Sequence, residues 1–372
     1  MLYWILAIIV LLVVVVFGYL RLPKFGVNAS GDRLAAIKQA PNYRNGEFTN
    51  EIATPLFTTD KGFFKIVLEN MGQKPARLRP EQPIPSIKTD LHALALSGDD
   101  AVVWLGHSSF YLQLNGIKLL LDPVFSIDAA PVPFVNRPFA GSNIFADDDF
   151  PALDALLISH DHWDHLDYPS VMALKPKVSQ VITGLGIGAD FEAWGFHKNQ
   201  IQSGNWYTNF GLGIELGNSV KVYLVPARHY SGRALTKRQT LWSGFVIESP
   251  KYRLYFSGDT GYGPHFKALQ RRFGEFDFVA LDSGQYDNRW ANIHMNPEQA
   301  VQAASELNAK AFLPEHVAKY ALARHPWNEP LERVKAASAG HDFQLVTPLI
   351  GQPLRLEQLP QQQFKAWWRA QR

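Results

Sequence analysis

The spacing of hydrophobic positions changes along this chain and divides it into regions. Met1 to Leu20 carries no charged side chain. An unbroken apolar run of that length predicts one helix of about 30 Å, the thickness of bilayer hydrocarbon. Tyr3, Trp4 and Tyr19 lie at its two ends, where interfacial aromatics belong. Arg21, Lys24, Arg33 and Lys38 follow, and no Lys or Arg precedes. The positive-inside rule therefore predicts a single-pass membrane anchor over residues 1–20, with the body of the chain in the cytoplasm. A cleaved signal peptide would need a basic start and a shorter apolar core, and Val27-Asn28-Ala29 is a weak cleavage match.

Residues 21–97 read as a linker and accessory segment. Pro23, Pro41, Pro55, Pro75, Pro80, Pro83 and Pro85 interrupt any long element. Between them Asp60–Met71 predicts one short helix with Phe63, Phe64, Val67 and Leu68 on its apolar face.

From residue 98 onward, short apolar runs bounded by turn signals predict a second kind of structure. Ala101–Leu105, Ser109–Leu114 and Ile117–Asp122 read as consecutive strands, with Asn115-Gly116 as a hairpin turn. Pro123–Asp149 is too long for an ordinary connection and predicts a functional loop. Strand Asp154–Ser159 follows, then Pro169–Lys175, Val178–Thr183 and Ile187–Gly195 in helix–strand alternation. A second set repeats the order. Val220–Val225, Trp242–Ser249 and Tyr252–Ser257 are strand-like; Pro264–Phe273, Pro297–Leu307 and Glu329–Ala339 are helical, with strands Phe276–Leu281 and Ala311–Leu313 between them. Hairpins followed by βα units, once in each half, predict an α+β fold. The expected architecture is a four-layer αβ/βα sandwich over residues 98–372, two sheets inside and helices outside, preceded by the transmembrane helix.

Composition narrows the chemistry. There are no cysteines, which removes disulfides, thiolate metal sites and cysteine nucleophiles together. The formal net charge of +2, spread without long single-sign blocks, gives no nucleic-acid footprint, and a nuclease would need a basic face.

Ser159-His160-Asp161-His162-Trp163-Asp164-His165 then stands out. His160 and His162 leave a strand end, where alternate residues point the same way. Asp164 and His165 fall past it, where the chain must turn. Two pairs of ligands aimed at two places suit a two-metal centre, and imidazole with carboxylate suits zinc, with iron and manganese as alternatives. Three later strand ends carry further ligand residues: Val225-Pro-Ala-Arg-His229, Gly258-Asp259-Thr-Gly and Leu313-Pro-Glu-His316. The geometry assigns His160, His162 and His229 to one metal and Asp164, His165 and His316 to the other. Asp259 bridges, and Asp164 and Asp259 are the catalytic carboxylates beside a water shared by two metals about 3.5–4 Å apart. Gly184-x-Gly186-x-Gly188 follows a strand, but the pattern is incomplete for a dinucleotide site. His92, His197 and His341 read as surface residues.

This order of ligands, H-x-H-x-D-H, then His, then G-D-T-G, then His, resembles the metallo-β-lactamase fold superfamily over about residues 100–340. Trp104-Leu-Gly-His-Ser-Ser, Leu121-Asp-Pro-Val-Phe-Ser126, Gly258-Asp-Thr-Gly-Tyr262 and Phe273-Gly-Glu-Phe-Asp-Phe278 resemble more narrowly the N-acyl-phosphatidylethanolamine-hydrolysing phospholipase D group. Ascorbate-6-phosphate lactonase-like proteins are among its bacterial relatives. The resemblance implies two zinc ions per chain and the same ligands. It implies that Asp122 orients the metal loop and that His294 lies near a substrate phosphate. The chain departs from the eukaryotic enzymes at Asp161 and Trp163, inside the motif. Trp163 and His294 are candidate substrate contacts; His265 and His325 are candidates to contact substrate or to donate a proton to the leaving group; His107 is a candidate outer neighbour of the ligands or a buried residue. Tyr286, Arg289, Trp290 and Asn292 precede His294 and are candidate wall residues.

The expected function is hydrolysis of a phospholipid or other small hydrophobic ester at a membrane, most narrowly release of N-acylethanolamine and phosphatidic acid. A lactone, thioester or amide is the alternative, since the ligand set does not separate P–O from C–O cleavage. A non-catalytic scaffold would be expected to lose ligands, and all are present.

Overall fold

A computed structural model describes residues 2–60, 72, 75–213, 219–233 and 236–371. The short helix expected at Asp60–Met71 lies outside these residues, apart from Asp60 itself. Helix α1 (Leu2–Tyr19) has no buried residue and a mean hydropathy of 2.8. It is long and apolar enough to cross a membrane, a test a signal sequence also passes.

The stretch expected as a linker and accessory segment sends several buried side chains into the body. It holds α2 (Gly31–Gln39), a hairpin of β1 (Tyr43–Arg44) with β2 (Glu47–Phe48), and a helix Leu91–Ser97 that Asp90 caps by accepting from the Ala93 N–H. Phe25, Ile37, Phe48, Ile84, Leu91 and Leu94 are buried. Its prolines forbid long elements but not packing, so the segment wraps the body as short pieces.

Two seven-stranded sheets form the body. The first contains β3 (Ala101–Trp104), β4 (Phe110–Leu114), β5 (Ile117–Leu121), β6 (Leu153–Ile158), β7 (Val178–Gly184) and β8 (Ile201–Gly204). The second contains β9 (Asn209–Leu212), β10 (Val220–Val225), β11 (Gly244–Glu248), β12 (Arg253–Phe256), β13 (Phe278–Asp282), β14 (Ala311–Glu315) and β15 (Gln344–Leu345). The last strand, β16 (Pro353–Arg355), returns to the first sheet and pairs antiparallel with β3. β8, β9, β15 and β16 have two to four residues each and gave no signal in the sequence.

Both faces of each sheet are buried, so the strands read as continuous apolar runs, yet alternation sorts their side chains. Val102, Trp104, Leu112, Leu119, Leu157, Val222, Phe245, Phe256 and Leu313 fill one core between the sheets. Their neighbours Val103, Tyr111, Leu120 and Leu156 face the helices of the first half, and Val246, Tyr255, Val279 and Phe312 those of the second. The result is the four-layer αβ/βα sandwich, and helices Tyr168–Leu174, His265–Phe273 and Pro297–Glu306 cover its outer faces.

Strand direction places the site. β5, β6 and β7 are mutually parallel, as are β12, β13 and β14. β10 is antiparallel to β11, and β11 to β12, so β10 and β12 end on the same edge. Every ligand-bearing loop leaves a carboxyl end on that edge. A bridge between His107 and Val317 ties the loop after β3 to the loop after β14 across the two sheets.

Candidate metal centre

Local backbone geometry aims the ligands inward. Asp122 (φ 39), His107 (φ 56) and His316 (φ 63) are left-handed non-glycine residues, a conformation that costs energy and clusters at functional sites. Gly258 (φ +55) makes the turn that brings Asp259 in; a Cβ there would come within 3.0 Å of Ser159 Cβ.

Three imidazoles form a first cluster. His160 Nε2 lies 2.9 Å from His162 Nδ1, and His229 Nε2 lies 3.2 Å from the same atom. Asp259 Oδ2 is 3.8 Å from His160 Nε2 and 3.7 Å from His229 Nε2. A second cluster holds Asp164, His165, His316 and His107 with their ligand atoms within 4.8 Å of one another. Asp164 Oδ2 is 3.6 Å from His165 Nε2 and 3.9 Å from His316 Nε2. Asp259 Oδ1 is 3.1 Å from His165 Nε2 and 3.0 Å from His316 Nδ1. The two oxygens of Asp259 therefore face different clusters, as a bridging carboxylate requires.

The donors fit a pair of metal ions. Tetrahedral zinc with bonds of about 2.0–2.1 Å sets neighbouring donors roughly 3.3 Å apart, within the spread seen here. His162 Nε2 is buried without a hydrogen-bond partner among the described residues, and His165 Nε2 and Asp259 Oδ1 face each other at 3.1 Å without hydrogen-bond geometry, a costly state that a cation relieves. Burial and then the neighbouring imidazoles hold His160 well below its ordinary pKa; His229 is lowered chiefly by burial too. Both are neutral, as ligands must be. For Asp259 burial pushes the pKa up, but His165 and His316 outweigh it and leave the carboxylate ionised.

Outer partners fix the rings. Asp122 accepts from His165 Nδ1 at 2.8 Å, from the Ser159 N–H at 2.8 Å and from the Ser159 hydroxyl. Ser159 Oγ in turn lies 3.0 Å from His160 Nδ1. Ile293 O binds His229 Nδ1 at 2.9 Å, and Ser108 Oγ lies 3.2 Å from His316 Nδ1. His107 Nε2 holds Asp164 Oδ2 at 2.9 Å. Such partners settle tautomer and orientation.

A cavity of ≈ 290 Å³ opens over both clusters. Its apolar walls are Leu56, Phe57, Trp290, Ile293 and Leu322, and Tyr230, Lys237, Gln285 and His294 supply polar atoms. His294 Nδ1 is bound by Asp282 Oδ2 at 2.8 Å; burial lowers its pKa, but Asp282 outweighs burial and the net shift is upward.

Some expected residues sit elsewhere. Trp163 does not line the cavity: its ring lies 4.1 Å from the Arg233 guanidinium and 5.2 Å from the Phe25 ring, so it packs against the segment after α1. His325 does not line it either. Its ring stacks on Tyr286 while Nε2 accepts from the Gln285 N–H and Nδ1 meets Pro326 O, so both nitrogens are engaged by backbone. His265 is buried against Phe266 and Thr260. Of the wall candidates before His294, only Trp290 faces the cavity. Asp161, inside the motif, is no ligand; it accepts from the Gly232 N–H at 2.6 Å and from Thr240 Oγ1 at 2.8 Å. Gly184 permits close approach of the Leu241 carbonyl, 2.1 Å from where a Cβ would stand, which accounts for the glycine-rich stretch without a nucleotide.

Arg233 gave no signal in the sequence. Nη1 donates to the carbonyls of Asp161 at 2.8 Å and Leu166 at 2.6 Å, the two ends of the metal loop. Nε and Nη2 donate to Lys24 O at 3.0 and 2.8 Å. One buried guanidinium thus clamps the loop and joins it to the turn after α1.

The family model for the beta-lactamase superfamily domain matches residues 118–317. An uncharacterised protein of Mycobacterium tuberculosis is 34 % identical over 351 residues, 92 % of this chain and 91 % of the relative. N-acyl-phosphatidylethanolamine-hydrolyzing phospholipase D 1 of Caenorhabditis elegans is 30 % identical over 310 residues, 77 % of this chain and 83 % of that protein. Among solved structures, a metallo hydrolase of the hyperthermophilic archaeon Ignicoccus hospitalis aligns with a TM-score of 0.53 at 20 % identity, over 68 % of this chain and 97 % of the other. At that identity the likeness concerns the fold alone.

Proposed function

The chain belongs to the beta-lactamase superfamily, as a metal-dependent hydrolase, and from that premise we propose that it is a membrane-anchored phosphodiesterase. It cleaves N-acyl-phosphatidylethanolamine to N-acylethanolamine and phosphatidic acid, using two zinc ions. The observation that carries this reading is the cavity over the two clusters, where Lys237 and His294 stand among Leu56, Phe57, Trp290, Ile293 and Leu322. Phosphate beside acyl chain is the chemistry that such a wall accepts. The similarity to the worm phospholipase over most of its length supports the same substrate class.

His160, His162 and His229 would hold one zinc, Asp164, His165 and His316 the other, with Asp259 shared. Zinc, when bound, supplies Lewis acidity for water activation and for the phosphoryl charge. The protein supplies the rest. Asp282 holds the His294 ring in place and favours its charged form, so that the ring could donate to a non-bridging phosphate oxygen. Phe57 and Leu322 exclude water from the acyl side. The low exposure of the ligands strengthens every charge interaction in the site.

Purified full-length protein should release N-acylethanolamine from N-acyl-phosphatidylethanolamine in mixed micelles, lose that activity to a chelator, and regain it with added zinc. Inert phosphodiesters beside a hydrolysed lactone would replace this reading with C–O cleavage by the same centre.

A further inference from the structure

The loop between β5 and β6 carries an exposed apolar tip. Ile127 is 65 % exposed, Val132 43 %, Phe134 76 % and Val135 42 %. Clustered exposure of this kind marks a contact surface. The tip is built rather than loose. Asp128 Oδ1 accepts from the Phe134 N–H at 2.9 Å and from Arg137 Nε at 3.3 Å, while Ala129 and Asn136 exchange two hydrogen bonds. Phe134 (φ 67) and Asn136 (φ 52) are held left-handed, a state that a bulky aromatic adopts only under constraint. At the base of the loop, Val124 and Ala129 pack with Tyr320 and Leu322, and Leu322 is also a wall of the cavity.

What covers the tip is indicated by its neighbour. The Tyr19 hydroxyl and Lys24 Nζ both donate to Pro131 O, so the tip is pinned to the last residue of α1. Tyr19 stands where interfacial aromatics stand on a spanning helix. Lys24 and Arg137 are held at the tip, through Pro131 O and Asp128 Oδ1, and Arg21 follows α1 directly in the chain. Apolar side chains projecting beside a basic rim, level with the end of a membrane helix, match the headgroup boundary of an anionic leaflet.

We propose that residues 127–135 dock into the surface of an anionic bilayer beside the carboxyl end of α1, so that the anchor and the loop together hold the cavity wall at the membrane. This rests on the membrane-anchored reading above.

The absence of native cysteine allows a clean test. Single variants Phe134→Cys, Ile8→Cys and Leu96→Cys carry a nitroxide in the full-length chain, reconstituted in phosphatidylcholine–phosphatidylglycerol vesicles. Leu96 is 89 % exposed, close to the start of β3 and so away from the ligand edge, and serves as the aqueous reference. Power-saturation spectroscopy compares collisions with oxygen, which concentrates in lipid, and with a water-soluble nickel chelate. The expected oxygen-to-nickel ratio at Phe134 is several-fold that at Leu96, and the ratio at Ile8 is higher still. A Phe134 label equal to Leu96, with Ile8 still in lipid, overturns the docking and leaves the anchor standing. A water-like Ile8 label removes the anchor and the docking with it. A Phe134 label shielded from both reagents in particles of doubled mass assigns the tip to a second copy of the chain, which also overturns the proposal.

Discussion

Arg233 and Asp259 show two ways in which one side chain can organise the centre. Asp259 does so by charge, with one oxygen on each cluster. Arg233 does so by geometry, since its planar fork satisfies three carbonyls at once. Lysine keeps the charge and loses the fork. Arg233→Lys should therefore weaken metal retention roughly 10–100-fold, the range for outer partners of a ligand set; competition with a chelator measures it, and unchanged retention would show that the clamp is idle. A second prediction concerns Asp190, whose carboxyl burial pushes up from 3.8 to about 7 while it accepts from the Val27 N–H. A raised carboxyl pKa stabilises the fold in full below pH 3.8 and loses that contribution as pH rises through about 7. Asp190→Asn keeps the acceptor and removes the titration. Its unfolding midpoint should match the native chain near pH 4 and exceed it above pH 7; a gap independent of pH would contradict this.

At this scale the candidate ligands and two of their supports, Asp122 and His107, were legible, and the other supports were not. Strand-end spacing put His160, His162, Asp164 and His165 in one turn, and His229, Asp259 and His316 repeat the strand-end pattern. Arg233 and Asp282 act on groups far away in sequence, and nothing local marks them. Trp163 shows the converse failure: its place inside the motif suggested substrate, while its ring packs on Phe25 from a segment more than a hundred residues earlier.

Among elements, the segment after α1 departs most from expectation. Proline spacing indicated a linker and accessory segment without long elements, and the structure gives Phe25 a buried place beside Trp163 and Lys24 a carbonyl bound by Arg233. Proline density reports the absence of long helices and strands, not the absence of packing. The short strands β8, β9, β15 and β16 escaped notice for a related reason: pairing with a neighbour defines them, not their own periodicity. The longer strands were legible because their apolar runs serve two cores. Deleting residues 1–20 should leave the unfolding midpoint within about 2 °C of the full chain. Deleting residues 1–30 removes Phe25 and the Lys24 carbonyl, and should lower it by at least about 5 °C, given a cost of about 3–5 kcal/mol for a lost buried Phe. Equal midpoints would return the segment to linker status.

On the scale of the molecule, the two sheets each contribute half of the chemistry. The loop after β6 brings four candidate ligands from the first sheet; the loops after β10, β12 and β14 bring three from the second. The core between the sheets sets their separation. Metal content is therefore a direct readout of the sandwich. Elemental analysis of dialysed, active full-length protein should give two equivalents of metal per chain, and no more than one in Asp259→Ala with turnover abolished. Full activity with one equivalent or none, or two equivalents and normal turnover in Asp259→Ala, would contradict a centre shared between the sheets.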